Sequence, residues 1–225
     1  MDENLSLREC TCRVVLSRRK LLAGAGGASL ALVVAACSGD EARNSTGEAD
    51  TATTAAGREA AGRGNDVATA QLAASLEVLA VNTYEAALIA AGDGTLPDVP
   101  EAVAAFITTA QSHHQAALEE WNALLTTLGE AEVDAPPADF ETTVSDAFSQ
   151  AADVVAVARL ALMLEQTAAD TYFDAIPTIH NAEALSLAAT IQPIDMQHVA
   201  ILRYVLGEYP VAETFANTEM SQIPA

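Results

Sequence analysis

After Cys37 the chain contains no cysteine, and its only lysine is Lys20. The first absence removes disulfides and thiolate metal sites, such as a four-cysteine iron centre, from everything downstream. The second bears on any buried acid. From Asp66 onward the only fixed positive side chains are Arg159 and Arg203, in a chain whose formal charge is −21. A domain this acidic repels nucleic acid and anionic lipid headgroups, which excludes both as partners of its surface. Rings are scarce too, with 5 Phe, 4 Tyr and 1 Trp in 225 residues. Alanine-rich sequence supported by Leu and Val, with so few aromatics, suits helices better than sheets. Cys10 and Cys12 have metal-site spacing, but no other Cys or His stands near them to complete a site.

Residues 1–37 have the layout of an export signal. Ser17-Arg18-Arg19-Lys20-Leu21-Leu22 resembles the twin-arginine export motif, with Leu21 where Phe is commonest. An uncharged run of 16 residues, Leu21 to Ala36, follows. It is short of the roughly 20 residues that a membrane-spanning helix needs. The run ends in Val34-Ala35-Ala36-Cys37, which resembles a bacterial lipobox. Cys37 is then expected to receive lipid and become the mature N-terminus, tethering the protein to the extracytoplasmic face of a bacterial membrane. The alternative is a plain membrane anchor in which Cys37 has no role. Residues 38–65 are mostly Ser, Gly, Asp, Glu, Ala and Thr, with three Arg and two Asn and almost no large apolar side chain. Such a segment buries too little to offset its ordering entropy and reads as a flexible tether.

A repeat organises the remainder. Leu76-Glu77 and Thr83-Tyr84 recur, in the same register, as Leu164-Glu165 and Thr171-Tyr172. In each copy Glu and Tyr are seven residues apart, on one face of a helix and two turns from each other. Each copy is followed some 30 residues on by a histidine, His114 and then His198. Two helical hairpins, each with an inward Glu and an inward His, predict an all-α, duplicated four-helix bundle over residues 66–207. The first helix is expected over 66–91, stopped by Gly92. The second follows a capping box at Asp98 and Glu101 and runs to Leu128, with Gly129 as its cap. Its core face is Val103, Ile107, Ala110, His114, Ala117, Trp121, Leu124 and Leu128, the knob spacing of a bundle. Residues 129–144 form a crossover. The third helix is expected over 145–176, stopped by Pro177, and the fourth from an Asn181 cap to Leu206, kinked at Pro193. Residues 208–225 show no period and read as a tail.

Inside such a bundle Glu77 and Glu165 need partners, because an unpaired charge there costs several kcal/mol. Neither Arg159 nor Arg203 lies on the inward face. What remains is a proton, hydrogen bonds from Tyr84 or Tyr172, the imidazoles of His114 and His198, or a metal ion. Two Glu and two His around one cavity are donor types that first-row divalent metals prefer. His113, next to His114, points about 100° away, towards solvent or the bundle edge.

These segments resemble the ferritin-like superfamily, and most closely the exported bacterial ferritin-like domain proteins, distant relatives of rubrerythrin and bacterioferritin. The resemblance rests on Leu76-Glu77, Thr83-Tyr84, His114, Leu164-Glu165, Thr171-Tyr172 and Ile194-Asp195-Met196-Gln197-His198. It implies iron or manganese held by Glu77, His114, Glu165, Asp195 and His198, with Tyr84 and Tyr172 beside them. Glu77 and Glu165 match the family's single-Glu helices, and His114 and His198 the histidines of its Glu-x-x-His helices. Where that pattern has Glu, this chain has Gln111 and Asp195. Asp195 is a shorter carboxylate that can still coordinate; Gln111 removes an anionic ligand and speaks against a tight two-metal site. Two functions follow from this reading. One is a membrane-tethered metalloprotein; the other is a metal-free structural or interaction lipoprotein of the cell envelope. Beside these two stands a binding protein for a small cationic ligand in the bundle cavity.

Overall fold

The computed structural model of the chain describes residues 47–224, so the expected export signal and Cys37 lie outside it. Every regular element among the described residues is helical. They are α1 (Gly47–Asp93), α2 (Glu101–Leu128), α3 (Ala138–Ser149), α4 (Val154–Ala175) and α5 (Ala182–Val205). A single 3-10 turn, Ile176–Thr178, joins α4 to α5. α1 packs beside α2 and α4 beside α5, as the repeat requires, and the two hairpins close against each other through α1 with α4 and α2 with α5.

The tether expected at 38–65 is helical from Gly47. Its polar composition argued that it could bury nothing, and Gly57, Glu59, Gly64 and Asn65 are exposed. It caps other elements instead. Arg63 Nη2 donates to the carbonyl of Leu128, 2.7 Å away, at the C-terminus of α2, where carbonyls lack helical partners and cations are favoured. Asn65 Nδ2 donates to the Thr178 carbonyl. Asp66 accepts from the backbone N–H groups of both His180 and Asn181, each at 2.8 Å, and so holds the start of α5 from inside α1. Asp66→Ala strands two backbone donors and is expected to cost about 1–3 kcal/mol, read by urea denaturation.

Other boundaries moved for local reasons. α1 continues through Gly92 and ends one residue later, at Asp93, because the left-handed turn falls on Gly94, at φ 81°. Gly129 caps α2 as expected, at φ 84°, with its N–H on the Leu125 and Thr126 carbonyls. The capping box is absent: α2 starts after Pro100 with no side-chain cap, and Asp98 sits at φ 58°. Asn181 caps α5 as expected, accepting from Glu183 and Ala184, and α5 runs through Pro193. The third helix is two. The crossover folds as α3, whose Phe140, Val144 and Phe148 pack on Leu79, Leu160 and Leu164. α4 then begins afresh at an Asp153 cap.

Alanines let the helices approach closely: Ala70, Ala74, Ala110, Ala184 and Ala188 are fully buried. Trp121 is buried at 0 % exposure among them, with its ring stacked on Tyr172 and its Nε1 donating to the Tyr172 hydroxyl at 2.8 Å. Trp121→Ala is expected to cost about 3–5 kcal/mol. Trp121→Phe keeps the ring and should cost less, since it forfeits mainly the hydrogen bond, about 1 kcal/mol. Chemical denaturation separates the two.

The tail is not loose. Met220 N–H donates to Asp170, Ser221 to Asp174 and Gln222 N–H to Thr171, so residues 220–222 strap the outer side of α4. Ile223 packs onto the cluster that holds Trp121, and Arg203 pairs with Glu213 at 2.7 Å.

Candidate metal centre

The two copies of the repeat meet at the middle of the bundle. Tyr84 donates its hydroxyl to Glu165, and Tyr172 donates its hydroxyl to Glu77. Each tyrosine therefore serves the carboxylate of the other hairpin. A Glu two turns away on its own helix is roughly 10 Å distant along the axis, too far to reach. The pairing of 77 with 172 and 84 with 165 makes α1 and α4 antiparallel, as a twofold axis between the hairpins demands. Burial raises both phenols well above their ordinary range, and the facing carboxylate adds to the effect in each case. They stay protonated donors.

The histidines break the symmetry. His114 Nδ1 lies 2.6 Å from Glu77 and its Nε2 3.2 Å from Glu165. Both nitrogens face carboxylate oxygens, and only an imidazolium can donate twice. Burial opposes that charge, but Glu165 and Glu77 override it and hold His114 well above the usual imidazole range. His198 instead places Nδ1 3.0 Å from Glu165 and Nε2 3.0 Å from His113 Nδ1. Glu165 is thus the hub, bonded to Tyr84, His114 and His198. Burial pushes its carboxyl up, yet His114 and His198 more than reverse this and bring it down to about 2.

Asp195 is the exception. It is 1 % exposed, and among the described residues its Oδ2 is the buried side-chain polar atom with no hydrogen-bond partner. Burial raises its carboxyl well above the ordinary range; His114 opposes this, and Glu77 and Glu165 add to it. One donor atom from each of His114, Glu165, Asp195 and His198 lies within 4.8 Å of the others. These four buried side chains form a donor set that fits a divalent ion. A cavity of about 280 Å³ between α2 and α5 leads to it, lined by the exposed His113, Glu120 and Thr190 and floored by His114 and Asp195.

His114, Glu165, Asp195 and His198 converge here, and Glu77 reaches His114. Glu77, expected among the ligands, is not in that group of four and faces His114 Nδ1. Gln111 is half-buried on α2, one turn before His114. His113 was expected at the bundle edge; it is exposed, yet its ring stacks on His198 at 5.3 Å between centroids. A rotation of 100° carries a side chain to the flank of its helix, from where a ring still reaches the neighbouring helix. The adjacent His113-His114 pair was the signal.

A family model described as the ferritin-like domain matches residues 65–208. Among solved structures, a conserved hypothetical protein from Mycobacterium tuberculosis is similar in fold, with a TM-score of 0.52 and 18 % identity over 68 % of this chain and 97 % of that one. A search of curated proteins gave no match. With a family model covering most of its length and α1, α2, α4 and α5 packed as a four-helix bundle, the chain belongs to the ferritin-like domain family.

Proposed function

We propose that this protein holds a single divalent ion of the iron or manganese type at His114, Glu165, Asp195 and His198. The observation that carries this reading is Asp195: its Oδ2 is fully buried without a partner, and a carboxylate oxygen of the same side chain lies within 4.8 Å of donor atoms on His114, Glu165 and His198. A polar group left so costs stability, and a cation among these donors removes that cost. Two imidazoles and two carboxylates are a donor set suited to such ions.

The chain's own residues are arranged for the task. Glu77 accepts a hydrogen bond from His114 Nδ1–H and so turns Nε2 towards a bound ion, the usual orientation of a metal-binding histidine. His113 does the same for His198 Nε2, leaving Nδ1 on the Glu165 side. Tyr84 fixes the Glu165 carboxylate, and Tyr172 fixes Glu77. Gln111, where a second anionic ligand would stand, favours one ion over two. Bound there, iron or manganese would supply one-electron redox chemistry.

Elemental analysis of protein purified without chelator should find about one such ion per chain. Asp195→Ala should lose it, and His113→Ala should weaken binding by about 10–100-fold. A wild type that stays empty when offered iron and manganese would sink the proposal. One observation favours a metal-free polar core instead: Glu77, Glu165, His114 and both tyrosines satisfy one another without an ion. That core leaves Asp195 unexplained.

We further propose that the domain works outside the cell membrane, tethered through lipid on Cys37. The supports are the sequence from Ser17 to Cys37 and the acidity of the domain. Wild-type protein should partition with membranes and Cys37→Ala should not; an intact mass showing unmodified Cys37 would count against the tether.

A further inference from the structure

A second cavity, of about 170 Å³, lies on the other side of Tyr84. It is lined from α1, α2, α4 and α5 by Ala87, Ile107, Ala158, Ala161 and Leu202 among others. Well-packed interiors hold few voids larger than a water molecule, and an unfilled one costs stability. This one exceeds the roughly 150 Å³ of an engineered apolar cavity known to stay dry and bind benzene.

Its polar lining groups are already used. The Tyr84 hydroxyl donates to Glu165 and the Thr83 hydroxyl to the Leu79 carbonyl. A ligand carrying a polar group would lose hydration and recover no hydrogen bond. The mouth is apolar as well: Ile201 and Val205 line the cavity and are 45 % and 49 % exposed. Large aliphatic side chains left half in water at the entrance to an apolar cavity fit a ligand that shields them.

The geometry points to a binding site for a small apolar molecule, of single-ring or short-alkyl size, at this end of the bundle. Its inner wall is Tyr84 and Phe106, and both also touch the polar centre. The Tyr84 ring stacks on His114 at 5.8 Å, and the Phe106 ring stands edge-on to His198 at 5.8 Å. A molecule in this cavity is therefore one ring's thickness from Glu165 and His198, whether or not an ion is bound there.

Benzene is the probe. Wild-type protein should show a saturable rise in melting temperature with benzene, and intermolecular nuclear Overhauser effects from benzene to Tyr84 and Phe106. Phenol, the same ring with a hydroxyl, should bind at least about tenfold more weakly. Ala158→Leu, which fills the cavity, should abolish the benzene shift. No binding up to the solubility of benzene overturns the proposal, as do contacts located elsewhere or equal binding by folded Ala158→Leu. If that variant does not fold, the contacts to Tyr84 and Phe106 decide alone.

Discussion

Glu165→Ala in metal-free protein is expected to be the most damaging single change at the centre, costing about 3–5 kcal/mol. The side chain is 1 % exposed and is the common acceptor for Tyr84, His114 and His198. Its removal strands a buried phenol and a buried imidazole and takes one of two counter-charges from the His114 imidazolium. In a domain of this size the loss should appear as a drop of roughly 10 °C in melting temperature, measured in chelator. Glu165→Gln should also destabilise, because this carboxylate is compensated. Asp195 is the acid with nothing to compensate it, so metal-free Asp195→Asn should be close to neutral. A Glu165→Gln variant as stable as wild type in chelator would show that the hub is misidentified.

Metal and protons should pull stability in opposite directions with pH. In the metal-free protein Asp195 and His114 are both raised above their unfolded values. Each then binds its proton more tightly folded than unfolded. Their contribution is full below the unfolded pKa, about 3.9 for Asp and 6.5 for His, and is lost as pH rises through the folded values. Glu165 works the other way: lowered to about 2, it contributes fully above its unfolded value and is lost as pH falls towards 2. Metal-free protein should thus be more stable near pH 5 than near pH 8 as far as this centre is concerned. A bound ion must displace those protons, so the stabilisation it adds should grow over the same interval. At an ion concentration a hundred times Kd it amounts to about 2.7 kcal/mol. Melting curves with chelator and with manganese, taken from pH 5 to 8, should converge at the acid end and separate at the alkaline end. Parallel curves would mean that the ion binds elsewhere.

The bundle was legible because its information is local. The recurrence of Leu76-Glu77 and Thr83-Tyr84 at Leu164-Glu165 and Thr171-Tyr172 fixed two hairpins, and the three–four spacing from Ile107 to Leu124 fixed an inward face that the fold keeps. In the sequence α3 reads as crossover and as the start of the third helix; its apolar face is only Phe140, Val144 and Phe148, three residues directly after the paired prolines. Arg63, Asn65 and Asp66 were not legible, because a polar residue that caps a distant helix leaves no periodic trace. The division of labour at the centre was not legible either. Glu77 and Asp195 both read as inward acids. Which one is taken up by His114 and a tyrosine, and which is left bare, depends on rotamers and on the register between α1 and α4. Likewise the reach from His113 to His198 depends on how closely α2 and α5 approach.

Crystals of the protein grown with manganese, measured for anomalous scattering above and below the manganese edge, test the central claim most directly. The account predicts one anomalous peak per chain, within coordination distance of His114, Glu165, Asp195 and His198, and none beside Gln111. A density map with Asp195 still unpartnered and no peak among these four side chains would contradict it, and so would a second ion shared with Glu77.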